Sequence, residues 1–308
     1  MNIGLKGRGK DAAEEAALPP KLDLDQVDPQ QAWRVIDQGA RLWFEPGAKT
    51  LIISFDNLAT LDTHHPRYPW LYKQLKQEGY ALLGVQSDAK NWFRLTPVPD
   101  LLRALTSHGF FDNFDRIVMI GASMGGFGAL AFAPLVPGAD VLCFSPQTSM
   151  SKQICPFEAR FPYAVRNSDW TKMPYLDAAS ATPYIPKVAV FYDPFVLEDK
   201  LHAERLQGKN VRHMRVPHFS HEAIRMVMKT GALSKVIRSF VQTADFDATV
   251  FVALRNRRLQ RKWCRQMISD LQTRDRVLLT LWAAENMLQR ENYLFAAQAK
   301  SAALERLM

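Results

Sequence analysis

Arg116-Ile-Val-Met-Ile-Gly-Ala-Ser-Met-Gly-Gly-Phe-Gly-Ala-Leu130 runs from an apolar, β-rich segment through one serine set between glycines into a series of small residues. Ile117 to Ile120 have the composition of a buried strand, and the small residues after Ser123 suit a helix packed closely against it. No charge occurs from 117 to 139, and an uncharged stretch of that length could also span a bilayer. Gly121, Gly125, Gly126, Gly128, Pro134 and Pro137 would interrupt a single membrane helix repeatedly, whereas strand, turn and helix account for each of them.

Gly121, Ser123 and Gly125 form G-x-S-x-G, the spacing of a nucleophile elbow. A strand that turns abruptly into a helix places the intervening serine in strained backbone geometry, and the residues two before and two after it must be small. The turn also aims the N-terminus of the new helix at the serine, so the Met124 amide is placed to donate to a developing oxyanion.

Outward from this stretch, strands and helices alternate. Residues 1–30 are rich in Ala, Pro, Asp, Glu and Lys without apolar periodicity and are expected to be disordered or loosely packed. The glycines at 4, 7 and 9 follow no strand and lack dinucleotide-loop spacing, and the start has no apolar core of a secretory signal. Structure is expected to begin near Trp33. Strands are expected at Arg41–Phe44, Thr50–Phe55, Tyr80–Val85, Ala139–Phe144, Lys187–Tyr192 and Val211–Val216. Helices fit Trp70–Glu78, Val98–Ser107, Leu201–Leu206, Glu222–Lys229 and Leu233–Val241. This alternation predicts an α/β domain over 31–245, with a mainly parallel, doubly wound sheet. Ser145 to Pro186 breaks the rhythm with prolines and with Phe157, Phe161, Tyr163, Trp170, Tyr175 and Tyr184, which marks 145–186 as an insert over the site.

The elbow, a later acid and a last histidine resemble, in that order, the α/β-hydrolase superfamily over roughly residues 40 to 245. The resemblance implies a Ser, Asp or Glu, His triad. Asp193, directly after one strand, and His221, in the loop after the last, match the family's positions for acid and base. Asp199 and His218 are the alternatives. His64, His65, His108, His202 and His213 are expected at the surface. The loop after Phe55 stands where such hydrolases place a second oxyanion amide, which makes Asn57 and Leu58 candidates beside Met124. The expected activity is cleavage of an ester or thioester, or transfer of the acyl group to a sugar or other alcohol. A silent hydrolase fold used for interaction is the contrasting expectation. The pattern calls for no cofactor and no metal.

Composition limits the rest. Cys143, Cys155 and Cys264 lie far apart without metal or redox spacing, which suits a reducing, cytoplasmic setting. The formal charge is +8, and Arg255, Arg257, Arg258, Arg261, Lys262 and Arg265 supply six positive charges between 248 and 269, where no acid stands. Residues 246–308 form a helical extension, expected as two helices, the second from about Asp275 to Leu307. Its basic helix, 250–266, could meet an acidic partner or a membrane surface, while nucleic acid is not expected. The expected substrate is a small-molecule, lipid or glycan ester.

Overall fold

A computed structural model describes residues 23–24 and 27–308. Most of the expected N-terminal tail therefore lies outside the described residues, although Val27 is buried and Leu24 packs against the core.

Among the described residues eight strands form one sheet: β1 (Trp33–Asp37), β2 (Ala40–Glu45), β3 (Ala48–Phe55), β4 (Tyr80–Ser87), β5 (Arg116–Ala122), β6 (Asp140–Phe144), β7 (Val188–Tyr192) and β8 (Val211–Arg215). Their spatial order is β1-β2-β4-β3-β5-β6-β7-β8. Pairing is antiparallel from β1 through β2 to β4 and parallel from there to β8. This is the α/β-hydrolase fold. The central strands β3 and β5 are buried on both faces, which is why they are continuous runs of Ile, Leu, Val and Met instead of alternating patterns. β1 was not foreseen as a strand. A tight turn with Gln38 and Gly39 at positive φ folds it back on β2, and Trp33 stacks on Phe44 at 5.4 Å.

The helices are α1 (Tyr72–Gln77), α2 (Val98–Ser107), α3 (Met124–Phe132), α4 (Pro162–Asn167), α5 (Leu197–Glu204), α6 (Ala223–Lys229), α7 (Leu233–Thr243), α8 (Ala248–Leu254), α9 (Arg261–Thr273), α10 (Val277–Leu288) and α11 (Leu294–Glu305). They cover both faces of the sheet, and each face has its own apolar cluster. One cluster joins Phe55, Phe93 and Phe127 to Trp170 and Ile185 of the insert. The other joins Ile52, Val118 and Phe191 to Phe240, Phe246 and, from the tail, Trp263, Ile268 and Ala296. The extension beyond 245 thus shares a core with the sheet.

The tail contains four helices, not the two expected. Gln260 and Tyr293 adopt extended backbone and Asp275 a left-handed one, which breaks the helical path, and Asp247 caps α8 through Thr249 and Val250. No glycine or proline marks these breaks in the sequence. Among the described residues no helix is long and apolar enough to cross a membrane.

The sheet positions the serine through a close contact between backbones. A Cβ on Gly121 would overlap the carbonyl of Gly125, and a Cβ on Gly125 would lie 2.6 Å from the Asp56 carbonyl oxygen and 2.7 Å from that of Phe55. Only glycine lets α3 start this close to the ends of β3 and β5. Gly121→Ala should therefore lower unfolding free energy by about 3 kcal/mol, the upper range for overpacking, as measured by urea denaturation.

Candidate active site

Ser123 stands between β5 and α3 at φ 53°, ψ −116°, a strained conformation for a residue with a side chain. Its amide donates to the Phe144 carbonyl at 3.0 Å, and this bond ties the turn to the end of β6. Its Oγ lies 3.1 Å from Nε2 of His221. His221 comes from the loop between β8 and α6, so the topology closes this contact across three strand ends.

The carboxylate against His221 belongs to Asp199. Nδ1 of His221 lies 2.8 and 3.0 Å from the two Asp199 oxygens. A carboxylate there can only accept, so Nδ1 carries the proton and Nε2 is free to accept from the Ser123 hydroxyl. Asp199 is fully buried in the first turn of α5. Burial opposes its ionisation, but the bond and charge of His221 and the charge of Arg160 outweigh it, and its carboxyl is held below the ordinary range.

Asp193, expected beside the base, is engaged elsewhere. Its carboxylate accepts from the amides of Phe195 at 3.0 Å and Ser220 at 2.7 Å. It thereby joins the loop after β7 to the loop that carries His221, while the acid in contact with the imidazole sits in the first turn of the next helix. His218, the alternative base, faces away: its Nδ1 lies 2.6 Å from Asp270 of α9. His64 and His108 are exposed and His65 and His213 partly so, but His202, expected at the surface, is fully buried.

His202 belongs to a buried polar chain that sequence reading missed. The Thr148 amide donates to its Nδ1 at 3.1 Å, so Nε2 carries the proton toward Glu158, 3.1 Å away. Burial lowers its pKa despite Glu158 and keeps the imidazole neutral. Glu158 in turn holds Arg160 through several bonds, and Arg160 Nη1 reaches Asp199 at 2.8 Å. Two carboxylates and one guanidinium leave one net negative charge beside the His221 ring. Arg160 and Glu158 come from the insert, as does Phe161, whose ring centre is 6.1 Å from that of His221. Tyr184, by contrast, is exposed, and Trp170 packs on Phe127.

Gln147 also escaped the sequence reading. Its Oε1 accepts from the Trp92 indole at 2.7 Å and lies 3.1 Å from Ser123 Oγ, while its buried Nε2 has no partner. The indole can only donate, which fixes the amide orientation and leaves Nε2 as a spare donor beside the serine. The available signal was Gly126, since a Cβ there would press on Pro146 and hold the Gln147 loop away.

Of the amides after β3, that of Asn57 is spent on Thr60 Oγ1 at 3.1 Å. The Leu58 amide has no acceptor among the described residues, and neither has that of Met124 in the first turn of α3.

No family model and no curated protein matches the chain. Solved structures with a similar course include the capsule O-acetyltransferase of Neisseria meningitidis serogroup A, at 14% identity and TM-score 0.49, covering 68% of this chain and 94% of that one. Est1E from Butyrivibrio proteoclasticus aligns at 13% identity and TM-score 0.42, covering 67% and 99%. An acetyl xylan esterase from Paenibacillus aligns at 20% identity and TM-score 0.40, covering 65% and 87%.

The Glu158 chain has a pH signature. Burial raises this carboxyl, but the bonds from His202 and Arg160 outweigh burial and bring it from 4.5 to about 2. A depressed acid stabilises the fold above its unfolded pKa and loses that contribution as pH falls toward the folded one. Wild type should lose up to about 3 kcal/mol from this group between pH 4.5 and 2, at about 1.4 kcal/mol per unit. Glu158→Gln should show a flatter denaturation profile over that window.

Proposed function

We propose that the chain is a serine hydrolase that cleaves an ester or thioester through an acyl-enzyme on Ser123. The observation that carries this reading is the continuous path from Asp199 through His221 to Ser123 Oγ, with contacts of 2.8 and 3.1 Å. A neutral hydroxyl is a poor nucleophile, and a base held in one tautomer by a buried carboxylate removes that barrier.

In the proposed mechanism Ser123 Oγ attacks the substrate carbonyl as its proton passes to His221 Nε2. Asp199 stabilises the imidazolium. The carbonyl oxygen, now negative, accepts from the amides of Met124 and Leu58, which have no acceptor among the described residues. Leu58 takes the part expected of Asn57, whose amide already has an acceptor. Collapse of the tetrahedral species breaks the bond to the leaving alkoxide or thiolate, which takes the proton from His221. Water, deprotonated by the same imidazole, then releases the acid and restores Ser123. An alcohol in place of water would receive the acyl group through the same steps.

Gln147 serves this reading as a donor to the bound ester. Gln147→Glu keeps an acceptor for the Trp92 indole but removes the spare N–H, and should lower kcat/KM for a p-nitrophenyl ester by about a hundredfold. Fluorophosphonate labelling should be complete in wild type and absent in Ser123→Ala. Labelling of the alanine variant at the wild-type rate would refute the assignment. With the same ester, Asp199→Asn should lose about a thousandfold or more in kcat. Asp193→Asn should retain far more activity, and the reverse ranking would return the acid role to Asp193.

A further inference from the structure

We propose that the groove between α9 and α10 binds an amphipathic anion, a hydrocarbon chain or ring that ends in a carboxylate or phosphate. The groove encloses about 510 Å³, within the range of small-molecule sites. Trp263, Met267, Leu271, Leu279 and Trp282 give it an apolar lining, and Arg257, Arg258 and Arg290 add cations.

The charges in this lining are unbalanced. Among the described residues no carboxylate lies within ion-pair distance of Arg257, Arg258 or Arg290. The buried Nε of Arg257 has no acceptor, and its guanidinium stands 5.6 Å from the Trp263 ring centre. Burial and then the neighbouring Arg258 and Arg255 make its charge harder to keep. The nearby acids are already engaged: Asp270 with His218 and Gln266, and Glu291 with Tyr293. An anion would satisfy these arginines, and an apolar body would cover Leu279 and Trp282, which are half-exposed or more.

A concave apolar lining with clustered cations favours a small amphiphile over a flat surface. The groove is distinct from the Ser123 site, and one of its walls, His218, stands on the loop that presents His221.

Isothermal titration of the full chain with octyl phosphate and octanoate, below their micelle concentrations, tests the proposal. The controls are 1-octanol and inorganic phosphate. One of the two anions should saturate one site per chain, and each control should bind at least about tenfold more weakly. The preferred anion identifies the end group. Arg257→Gln combined with Arg258→Gln should weaken binding about tenfold. Leu279→Glu, at a half-exposed position that tolerates a charge, should abolish binding without changing Tm. Prior labelling of Ser123 with fluorophosphonate should leave the affinity unchanged. Absence of saturable binding, equal affinity for 1-octanol or inorganic phosphate, equal affinity in the variants, or loss of binding on Ser123 labelling would each overturn the proposal.

Discussion

The bond between the Asp199 carboxylate and His221 Nδ1 is the constraint on which the site depends. It decides the tautomer of the imidazole and so decides whether Nε2 can accept from the Ser123 hydroxyl, for which Gln147 Oε1 at 3.1 Å is the other acceptor. A buried carboxylate beside an arginine would normally be neutralised by it, which would weaken its hold on a developing imidazolium. Arg160 is shared: its Nε and Nη2 donate to Glu158 and its Nη1 to Asp199, so its one positive charge is divided between two carboxylates, while His202, held by the Thr148 amide, bonds Glu158. The segment 145–186 therefore supplies the charged side chains, Glu158 and Arg160, that stand beside the Asp199–His221 pair.

A second set of contacts fixes the loop that carries His221. Its residues His218 and Ser220 have positive φ, a conformation that persists only where surroundings hold it. Asp193 holds the Ser220 amide from inside. From outside, α9 holds the loop through Asp270 on His218, Trp263 Nε1 on the Pro217 carbonyl at 2.9 Å, and Lys262 on Glu222 at 2.9 Å. The tail is thus packed onto the loop that carries His221, and part of its basic character is spent there. Arg257, Arg258 and Arg290 are the cations left over along the groove.

The strands from β2 to β8, the serine turn and the histidine that meets it were legible because each rests on a local pattern: β-branched runs for buried strands, paired glycines for a tight turn, a histidine just after the last strand. Asp199 was legible only as an alternative, because its contact with His221 depends on how far α5 begins beyond β7 and not on any residue pattern. Gln147, Glu158 and Arg160 had no local signal as a group. They are ordinary polar residues in an irregular segment, and only its folding brings Gln147 to Ser123 and Glu158 with Arg160 to the Asp199–His221 pair. The tail breaks at Gln260, Asp275 and Tyr293 were hidden for a related reason, since they turn α9, α10 and α11 back against one another without a glycine or proline to mark the turn.

The central claim is that Asp199, and not Asp193, holds the proton-bearing nitrogen of His221. Low-temperature proton NMR of the imidazole Nδ1–H tests it most directly. The account predicts a far-downfield resonance in the wild-type protein that disappears in Asp199→Asn and persists in Asp193→Asn. Persistence in Asp199→Asn with loss in Asp193→Asn would contradict it.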